Sequence, residues 1–132
     1  MTDDWTVERH LQDKPAHVVA LYHRFIQLAE ACGPFDYAVA RTAVSLKGSR
    51  RGFAGAVPTR TSLDGHFDLQ RQVSDPRIRR SSPYTHRLFV HHFRVRSLDE
   101  LDDEFSRWIA AAYAVGQGAH LDIKPPQPDQ PA

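Results

Sequence analysis

The stretch HRLFVHHFRVR (residues 86–96), followed directly by SLDELDDEFSRWIAAAY (residues 97–113), decides the fold class of this chain. In the first part, apolar and polar residues alternate with the period of two that is typical of a β-strand. In the second part, apolar residues recur at every third or fourth position, which is the spacing of an amphipathic helix. Ser97 and Glu100 have the spacing of a capping box, which predicts that the helix begins there. A strand followed by a helix of this kind indicates an α+β domain.

The residues before this stretch predict two further helices and three further strands. Thr6 is a suitable N-cap for a short helix over residues 5–11, and an apolar stripe predicts a longer helix over residues 15–32 that ends at Gly33-Pro34. Period-two patterns predict the remaining strands at residues 37–47, 51–57 and 66–71. Because the first two linkers are short enough for hairpins, we expect a four-stranded, mainly antiparallel sheet. The N-terminal and C-terminal helices are expected to pack on one face of it.

The composition is that of one ordinary globular domain, with 132 residues, of which 41% are hydrophobic and 25% are charged. We expect the domain to span residues 1–119 and the proline-rich residues 120–132 to form a disordered tail. The N-terminal Met-Thr-Asp-Asp-Trp lacks the basic region and apolar run of a signal peptide, and no apolar stretch is long enough to span a membrane. These features predict a cytoplasmic protein without membrane contacts.

Positive charge is concentrated in the middle of the chain. Residues 41–96 contain twelve Lys or Arg and three acids, a local charge of +9, whereas residues 1–40 and 97–132 carry −3 and −5. Arginine outnumbers lysine eleven to one in this segment, and its guanidinium group suits phosphate and carboxylate. Two explanations are open: a solvated, partly self-paired surface, or a basic sheet face that binds nucleic acid or another anionic, phosphate-bearing ligand.

Alternation along the predicted strands separates the basic side chains from the apolar ones. On the strand 37–47, Val44 and Leu46 face away from Arg41, Ser45 and Lys47. On the strand 51–57, Phe53 and Val57 face away from Gly52, Ala54 and Ala56. On the strand 86–96, one side carries Phe89, Phe93 and Val95, and the other carries Leu88, Val90, His92, Arg94 and Arg96. The glycine and alanine floor of the second strand either admits an anionic partner or lets a helix pack closely. The candidate anion-binding residues are Arg41, Lys47, Arg50, Arg51, His92, Arg94 and Arg96.

The chain contains no motif that predicts catalysis or metal binding. His86, His91 and His92 lie on one predicted strand, but the adjacent pair points to opposite faces and cannot bind one ion without a bulge. The acids within residues 99–104 lie at a helix N-terminus, where the helix dipole favours them for structural reasons. A nucleophile elbow, a glycine-rich phosphate loop and an HExxH sequence are all missing. We therefore expect no cofactor, no metal and no catalytic residue.

Two alternatives to anion binding follow from the same sequence. Unpaired strands at the sheet edges would allow protein–protein association, including a homodimer. An enzyme would need a concave pocket in which two titratable groups converge, and His86, His92 and Asp68 are the residues around which we would look for it.

Five blocks of the sequence together resemble a known bacterial family. The blocks are Tyr37-Ala-Val-Ala-Arg-Thr42, Arg50-Arg-Gly-Phe-Ala-Gly55, Leu88-Phe-Val-His-His-Phe-Arg94, Leu98-Asp-Glu-Leu-Asp-Asp-Glu104 and Ala112-Tyr-Ala-Val-Gly-Gln-Gly118. They are similar to the domain of unknown function 5655, and the similarity covers about residues 5–119. The resemblance implies a stand-alone α+β domain with a helix, an antiparallel sheet and a closing helix. It implies no activity, so no functional residue is carried over from it.

Overall fold

The computed structural model describes residues 5–85 and 87–121. This part of the chain forms three α-helices, six β-strands and two short 3₁₀ turns. In chain order they are α1 Val7–Leu11, α2 Ala16–Glu30, β1 Asp36–Val39, β2 Val44–Lys47, β3 Gly52–Pro58, β4 Leu63–Leu69, β5 Ile78–Thr85, β6 Leu88–Val95, the turn Leu98–Glu100, α3 Asp103–Gly116 and the turn Ala119–Leu121. No helix in the two described ranges is long and apolar enough to cross a lipid bilayer.

The six strands form one antiparallel sheet in the order β1-β2-β3-β4-β6-β5. Helices α2 and α3 pack on the same face of this sheet. The ring of Phe93 in β6 contacts Phe25 of α2 at 5.7 Å and Phe105 of α3 at 5.1 Å, measured between ring centroids. The α+β class and the antiparallel sheet predicted from the sequence are therefore confirmed.

The two long helices each bury one apolar stripe in the core. Leu21 and Phe25 of α2, and Phe105 and Ile109 of α3, are at most 1% exposed. Burying a side chain of this size stabilises the fold by about 2 kcal/mol relative to leaving it in water. The short helix α1 begins as predicted, because the Thr6 hydroxyl accepts a hydrogen bond from the backbone N–H of Arg9 at 3.0 Å.

The sheet has six strands where the sequence predicts four. The first extra strand arises because a turn divides one predicted strand into two. Residues 37–47 form the hairpin of β1 and β2 rather than one strand. Its two-residue turn is Arg41-Thr42, closed by the Ala40 N–H, which donates to the Ala43 carbonyl at 3.0 Å. Glycine, proline, asparagine and aspartate are all missing from this turn, so its composition does not mark it.

The second extra strand is β5, whose residues have the composition of a linker. Ser81, Ser82 and Pro83 predict a loop, but these residues pair with β6 at the edge of the sheet. Proline is tolerated in an edge strand because its missing N–H is not needed by a second neighbour. Register shifts between Ile78 and Arg80 and between Pro83 and Thr85 make the strand irregular.

A β-bulge in β3 decides which side chains face the helices. The register between β2 and β3 shifts next to Lys47, so Phe53 is an extra residue on its strand. Phe53 therefore joins Ala54 and Ala56 in the core, and all three are at most 1% exposed. Val57 lies on the opposite face. The predicted grouping of Phe53 with Val57 is wrong, and the small side chains of β3 let the helices pack closely.

The capping box at Ser97 and Glu100 is present, but it begins a 3₁₀ turn rather than the helix. The Glu100 carboxylate accepts a hydrogen bond from the Ser97 N–H at 3.1 Å. The helix α3 itself begins at Asp103, because the carboxylate of Asp102 caps it by accepting from the Phe105 N–H at 3.0 Å. A second acidic cap therefore displaces the predicted helix start by several residues.

The predicted tail, residues 120–132, lies mainly outside the described residues. Its first two residues, His120 and Leu121, belong to the 3₁₀ turn that follows α3.

Candidate functional site

The face of the sheet opposite the helices carries the polar side chains of the central strands, and we call it the open face. Strand register places cross-strand partners on the same side, so Asp64 shares this face with Arg94, and His66 shares it with His92. Arg80 of β5 pairs with His92 and lies on the same side. The open face is where polar residues of three different strands, β4, β5 and β6, come together.

An open groove of about 520 Å³ crosses this face between β3 and β5. Its lining includes Val57, Asp64, His66, Arg79, Arg80 and His92. Asp64 is held by Arg94, whose Nε and Nη2 donate to the two carboxylate oxygens at 2.9 and 2.8 Å. The Ser62 hydroxyl donates to the same carboxylate at 2.8 Å. Burial alone would raise the pKa of Asp64, but the hydrogen bonds from Arg94 and Ser62 outweigh it and hold the pKa below its usual value.

Two histidines face each other across β4 and β6 in the middle of the open face. The ring centroids of His66 and His92 are 6.3 Å apart. Burial lowers the pKa of His66, and the nearby charges of His92 and Arg51 lower it further. Burial also lowers the pKa of His92, together with the charge of Arg80. Both imidazoles are therefore mainly neutral at pH 7, and each retains one N–H donor and one nitrogen acceptor.

Arg79 and Arg80 line the groove on the side of β5. Both residues are exposed, and neither guanidinium forms a salt bridge or side-chain hydrogen bond with a residue in the described ranges. The charge of Arg79 contributes to lowering the pKa of Asp64, which places the two groups near each other. These two arginines differ in this respect from Arg94, whose charge Asp64 already balances.

A second, shallower depression of about 410 Å³ adjoins the groove, and His66 lines both. Arg51 donates from Nη2 to the Asp68 carboxylate at 2.6 Å and from Nε to the Gly52 carbonyl at 2.9 Å. The guanidinium carbon of Arg51 lies 5.2 Å from the centroid of the Tyr84 ring. The Tyr84 side chain is on the edge strand β5, and the residue is 63% exposed.

Asp68 is the most perturbed acid of the open face. It is 4% exposed, and its Oδ1 atom has no hydrogen-bond partner among the described residues. Burial raises the pKa of Asp68 to about 6, although the positive charge of Arg51 opposes the increase. A carboxyl group with this pKa changes its charge in mildly acidic solution.

Residues 7–116 match the family described as domain of unknown function (DUF5655), which covers every helix and strand from α1 to α3. The chain belongs to the DUF5655 family. Neither a curated protein nor a solved structure matches it. The family resemblance expected from the sequence blocks is therefore confirmed, and the open face lies entirely within the matched part of this DUF5655 domain.

The DUF5655 domain does not bring the seven sequence-predicted anion-binding residues together. Arg51, His92 and Arg94 lie on the open face, but both arginines are already paired with acids. Arg41 lies in the turn before β2, and Lys47 lies at the other end of that strand. The remaining two lie in loops: the Arg50 N–H donates to the Gly116 carbonyl at 2.9 Å, and the Arg96 N–H donates to the Glu100 carboxylate at 2.6 Å.

Sequence reasoning missed four residues of the open face, and three of them share one cause. Arg79, Arg80 and Tyr84 lie on β5, whose residues have the composition of a linker, so the sequence does not predict which face of the sheet they occupy. His66 lies on a predicted strand, but only the register with β6 brings it opposite His92. One feature of the sequence is compatible with β5. The eight residues directly before the predicted strand of β6 are enough to form the first strand of a β-hairpin with it.

The histidines predicted not to form a metal site have separate environments in the DUF5655 domain. His91 and His92 point to opposite faces as predicted, with His91 fully buried in the core. His91 Nε2 accepts from the Val73 N–H at 3.0 Å, so Nδ1 carries the proton and donates to the Phe89 carbonyl at 3.1 Å. His86 lies outside the described residues. Within them, no group of three or more His, Cys, Asp or Glu side chains could hold a metal ion.

Proposed function

We propose that this DUF5655 domain is a binding module that holds a phosphate-bearing partner on the open face of its sheet, in the groove beside Arg79 and Arg80. The proposal keeps the anionic partner expected from the sequence, either nucleic acid or a smaller phosphate ligand. It replaces the seven residues predicted from the sequence with Arg79 and Arg80 on β5 as the main binding residues. The observation that carries the proposal is that Arg79 and Arg80 line a groove while making no direct ion pair with a described residue.

The charge balance of the open face supports this assignment. The two acids that line the groove and the adjoining depression are each matched by an arginine, Asp64 by Arg94 and Asp68 by Arg51. Arg79 and Arg80 are then in excess, so the groove has uncompensated positive charge. An uncompensated guanidinium binds a phosphate oxygen pair through two parallel hydrogen bonds, which a lysine ammonium cannot do.

The two central histidines add neutral hydrogen-bonding groups to the same groove. Because burial lowers the pKa of His66 and of His92, their rings add no positive charge to the groove at pH 7. Each neutral ring can donate one hydrogen bond to a phosphate or sugar oxygen. The proposed site therefore combines two charged groups with two neutral donors.

The proposal is tested by fluorescence anisotropy with labelled single-stranded and double-stranded oligonucleotides at about 50 and 200 mM salt. We expect binding at the lower salt and a steep loss of affinity at the higher. The double variant R79A/R80A should bind at least tenfold more weakly and show a smaller salt dependence, by about one unit of slope for each arginine.

The matched control for this variant is R24A/R107A. Arg24 on α2 and Arg107 on α3 are exposed, and their removal changes the net charge by the same amount on the helix side of the domain. The control should bind as the wild type does. Equal losses in the two double variants would show that net charge rather than the groove determines affinity, and an absence of binding at low salt would reject the proposal.

A second candidate function, association of two chains through a sheet edge, is favoured by the β1 strand. β1 pairs only with β2 among the described strands, and its residue Tyr37 is 45% exposed. Light scattering over a range of protein concentrations tests this candidate. A mass that rises to that of a dimer, and returns to that of a monomer in the variant Y37K, would support it. A monomer at every concentration would remove it.

A further inference from the structure

Tyr84 is the most exposed large hydrophobic residue of the described chain, and it is the only one of that set on the open face. Tyr84 is 63% exposed, whereas Tyr37, Leu98 and Leu121 are 45–53% exposed and lie elsewhere. Its ring lines the depression that also includes Arg51 and Asp68. The open face therefore presents an exposed aromatic ring next to Arg51, on the same strand as Arg79 and Arg80.

One contact restricts this ring on one side. The ring of Tyr84 lies against the guanidinium of Arg51, whose carbon is 5.2 Å from the ring centroid. Arg51 is itself held by its hydrogen bonds to Asp68 and to the Gly52 carbonyl. Because Tyr84 is 63% exposed, much of the ring stays available for a ligand to stack on.

We infer that Tyr84 is a stacking platform for a nucleic-acid base, and that the partner of the open face is single-stranded nucleic acid. This inference rests on the proposed phosphate-binding function of Arg79 and Arg80. Proteins that bind single strands combine a positively charged groove, which follows the backbone, with aromatic side chains on which bases stack. The open face has both components on one strand.

The spacing of these components fits a short run of nucleotides. Tyr84 lies four residues after Arg80 on β5, which corresponds to about 13 Å along a strand. His66 lines both the groove and the depression, so the two concavities form one continuous surface between Arg80 and Tyr84. A single strand with a base on Tyr84 would place its neighbouring phosphates toward Arg79 and Arg80. Ser45 and His66 in the depression then offer hydrogen bonds to the edge of the stacked base.

A duplex fits the same face less well. Its bases are already stacked and paired, so a base can reach Tyr84 only if the duplex opens, which costs several kcal/mol. A duplex would therefore contact only the arginines through its phosphates. The chemistry of the face distinguishes the two partners through the aromatic contact and not through the charge.

The experiment compares three labelled probes of about twelve nucleotides: a mixed-sequence single strand, an abasic strand with the same phosphates and no bases, and a duplex. Each is titrated with the wild type, Y84A and L98A at low salt. Leu98 is also an exposed apolar residue, but it lies in the 3₁₀ turn before α3 rather than on the open face, so L98A is a matched control. We expect Y84A to weaken single-strand binding roughly five- to hundredfold and to leave abasic-strand binding unchanged. L98A should behave as the wild type does with every probe.

The outcomes separate this inference from the function on which it rests. If Y84A binds the single strand within twofold of the wild type, or if the abasic strand binds as tightly as the complete one, base stacking is overturned. In that case a loss of binding in R79A/R80A still supports the phosphate site. If no probe binds at low salt, both are rejected. Y84W should restore binding that Y84A loses, because indole stacks as well as phenol, and melting temperatures of the variants check that each is folded.

Discussion

The guanidinium carbon of Arg77 lies 4.7 Å from the centroid of the Trp108 ring, and this contact joins the loop before β5 to the helix α3. All five N–H donors of Arg77 are used. Nε and Nη2 donate to Asp75 at 2.8 and 3.0 Å, Nη1 donates to the Glu100 carbonyl and to Asp102, and Nη2 also donates to Glu104. The side chain is only 10% exposed.

We expect R77A to lower the free energy of unfolding by about 3 kcal/mol, because it removes five hydrogen bonds, four of them to carboxylates, and the contact with Trp108. R77K should cost about 1–2 kcal/mol, since an ammonium has three donors and cannot form the planar two-bond contact with Asp75. Urea denaturation measures both values. R79A, two residues away and exposed, is the control and should change stability by less than about 0.5 kcal/mol. Equal stability of R77A and R79A would contradict the role given to this network.

Asp68 should make the stability of the domain depend on pH in an unusual direction. Burial raises its pKa to about 6 from 3.8, so the folded protein keeps a proton that the unfolded chain loses between about pH 4 and 6. Stability from this group is therefore present below pH 4 and is lost as the pH rises through that window. D68N removes the titration. We compare the free energy of unfolding of D68N with that of the wild type. The difference, D68N minus wild type, should be about 2 kcal/mol more positive at pH 7.5 than at pH 4.5.

Urea denaturation of both proteins at the two pH values measures this difference, and the effects of all other titrating groups cancel in the comparison. D103N serves as the control, because Asp103 is exposed on the first turn of α3. The difference in free energy of unfolding between D103N and the wild type should not show the increase of about 2 kcal/mol that is expected for D68N. A constant offset for D68N would mean that Asp68 ionises normally in the folded protein.

His91 should contribute in the opposite direction. Burial lowers its pKa, although its backbone hydrogen bonds oppose the shift, so the unfolded chain takes up a proton near pH 6.5 before the folded protein does. Its contribution to stability is lost as the pH falls below that value. H91F keeps the ring that stacks on Phe67 at 5.5 Å but leaves the Val73 N–H unpaired, which should cost about 1–3 kcal/mol at pH 7.5.

Thermal melting of H91F and wild type at pH 7.5 and pH 5.5 tests this prediction. The deficit of H91F should be smaller at pH 5.5, because the variant has no imidazole to protonate. A deficit that grows on acidification would show that His91 is charged in the folded state.

Gly65 in β4 is required by close packing. A Cβ atom there would collide with the Gly55 carbonyl oxygen and lie 2.6 Å from Cζ of Phe93. G65A should therefore destabilise the domain by about 2 kcal/mol or more. Gly52 is the matched control, since a Cβ atom at that position would have its nearest neighbour at 3.7 Å. Chemical denaturation should find G52A near wild type, and equal effects of the two substitutions would refute the packing argument.

The sequence predicted the fold class because the relevant signals are local. The Thr6 cap and the helical stripe around Leu21 and Phe25 need no information about distant residues. The strands that it missed depend on pairing instead. The Arg41-Thr42 turn contains none of the residue types that favour turns, and β5 is a strand only because it pairs with β6.

The candidate site was less predictable than the fold, because charge counting does not show which charges are already paired. Arg77 contributes to the central +9 but is paired with Asp75 of its own loop and with Asp102 and Glu104 at the start of α3. Arg51 and Arg94 are likewise balanced by Asp68 and Asp64. The three-dimensional structure, and not the charge count, shows that the groove arginines Arg79 and Arg80 have no ion-pair partner within residues 5–85 and 87–121.

The position of β5 at the edge of the sheet couples ligand binding to local order. This strand is paired with β6 alone among the described strands and is interrupted by two register shifts, so its backbone amides should exchange with solvent through local opening far more readily than those of the central strand β4. The residues proposed to hold the ligand are therefore on one of the least protected strands of the sheet. Binding of a ligand would then slow amide exchange in β5 while leaving β4 unchanged, and part of the binding free energy would be used to order the edge of the sheet.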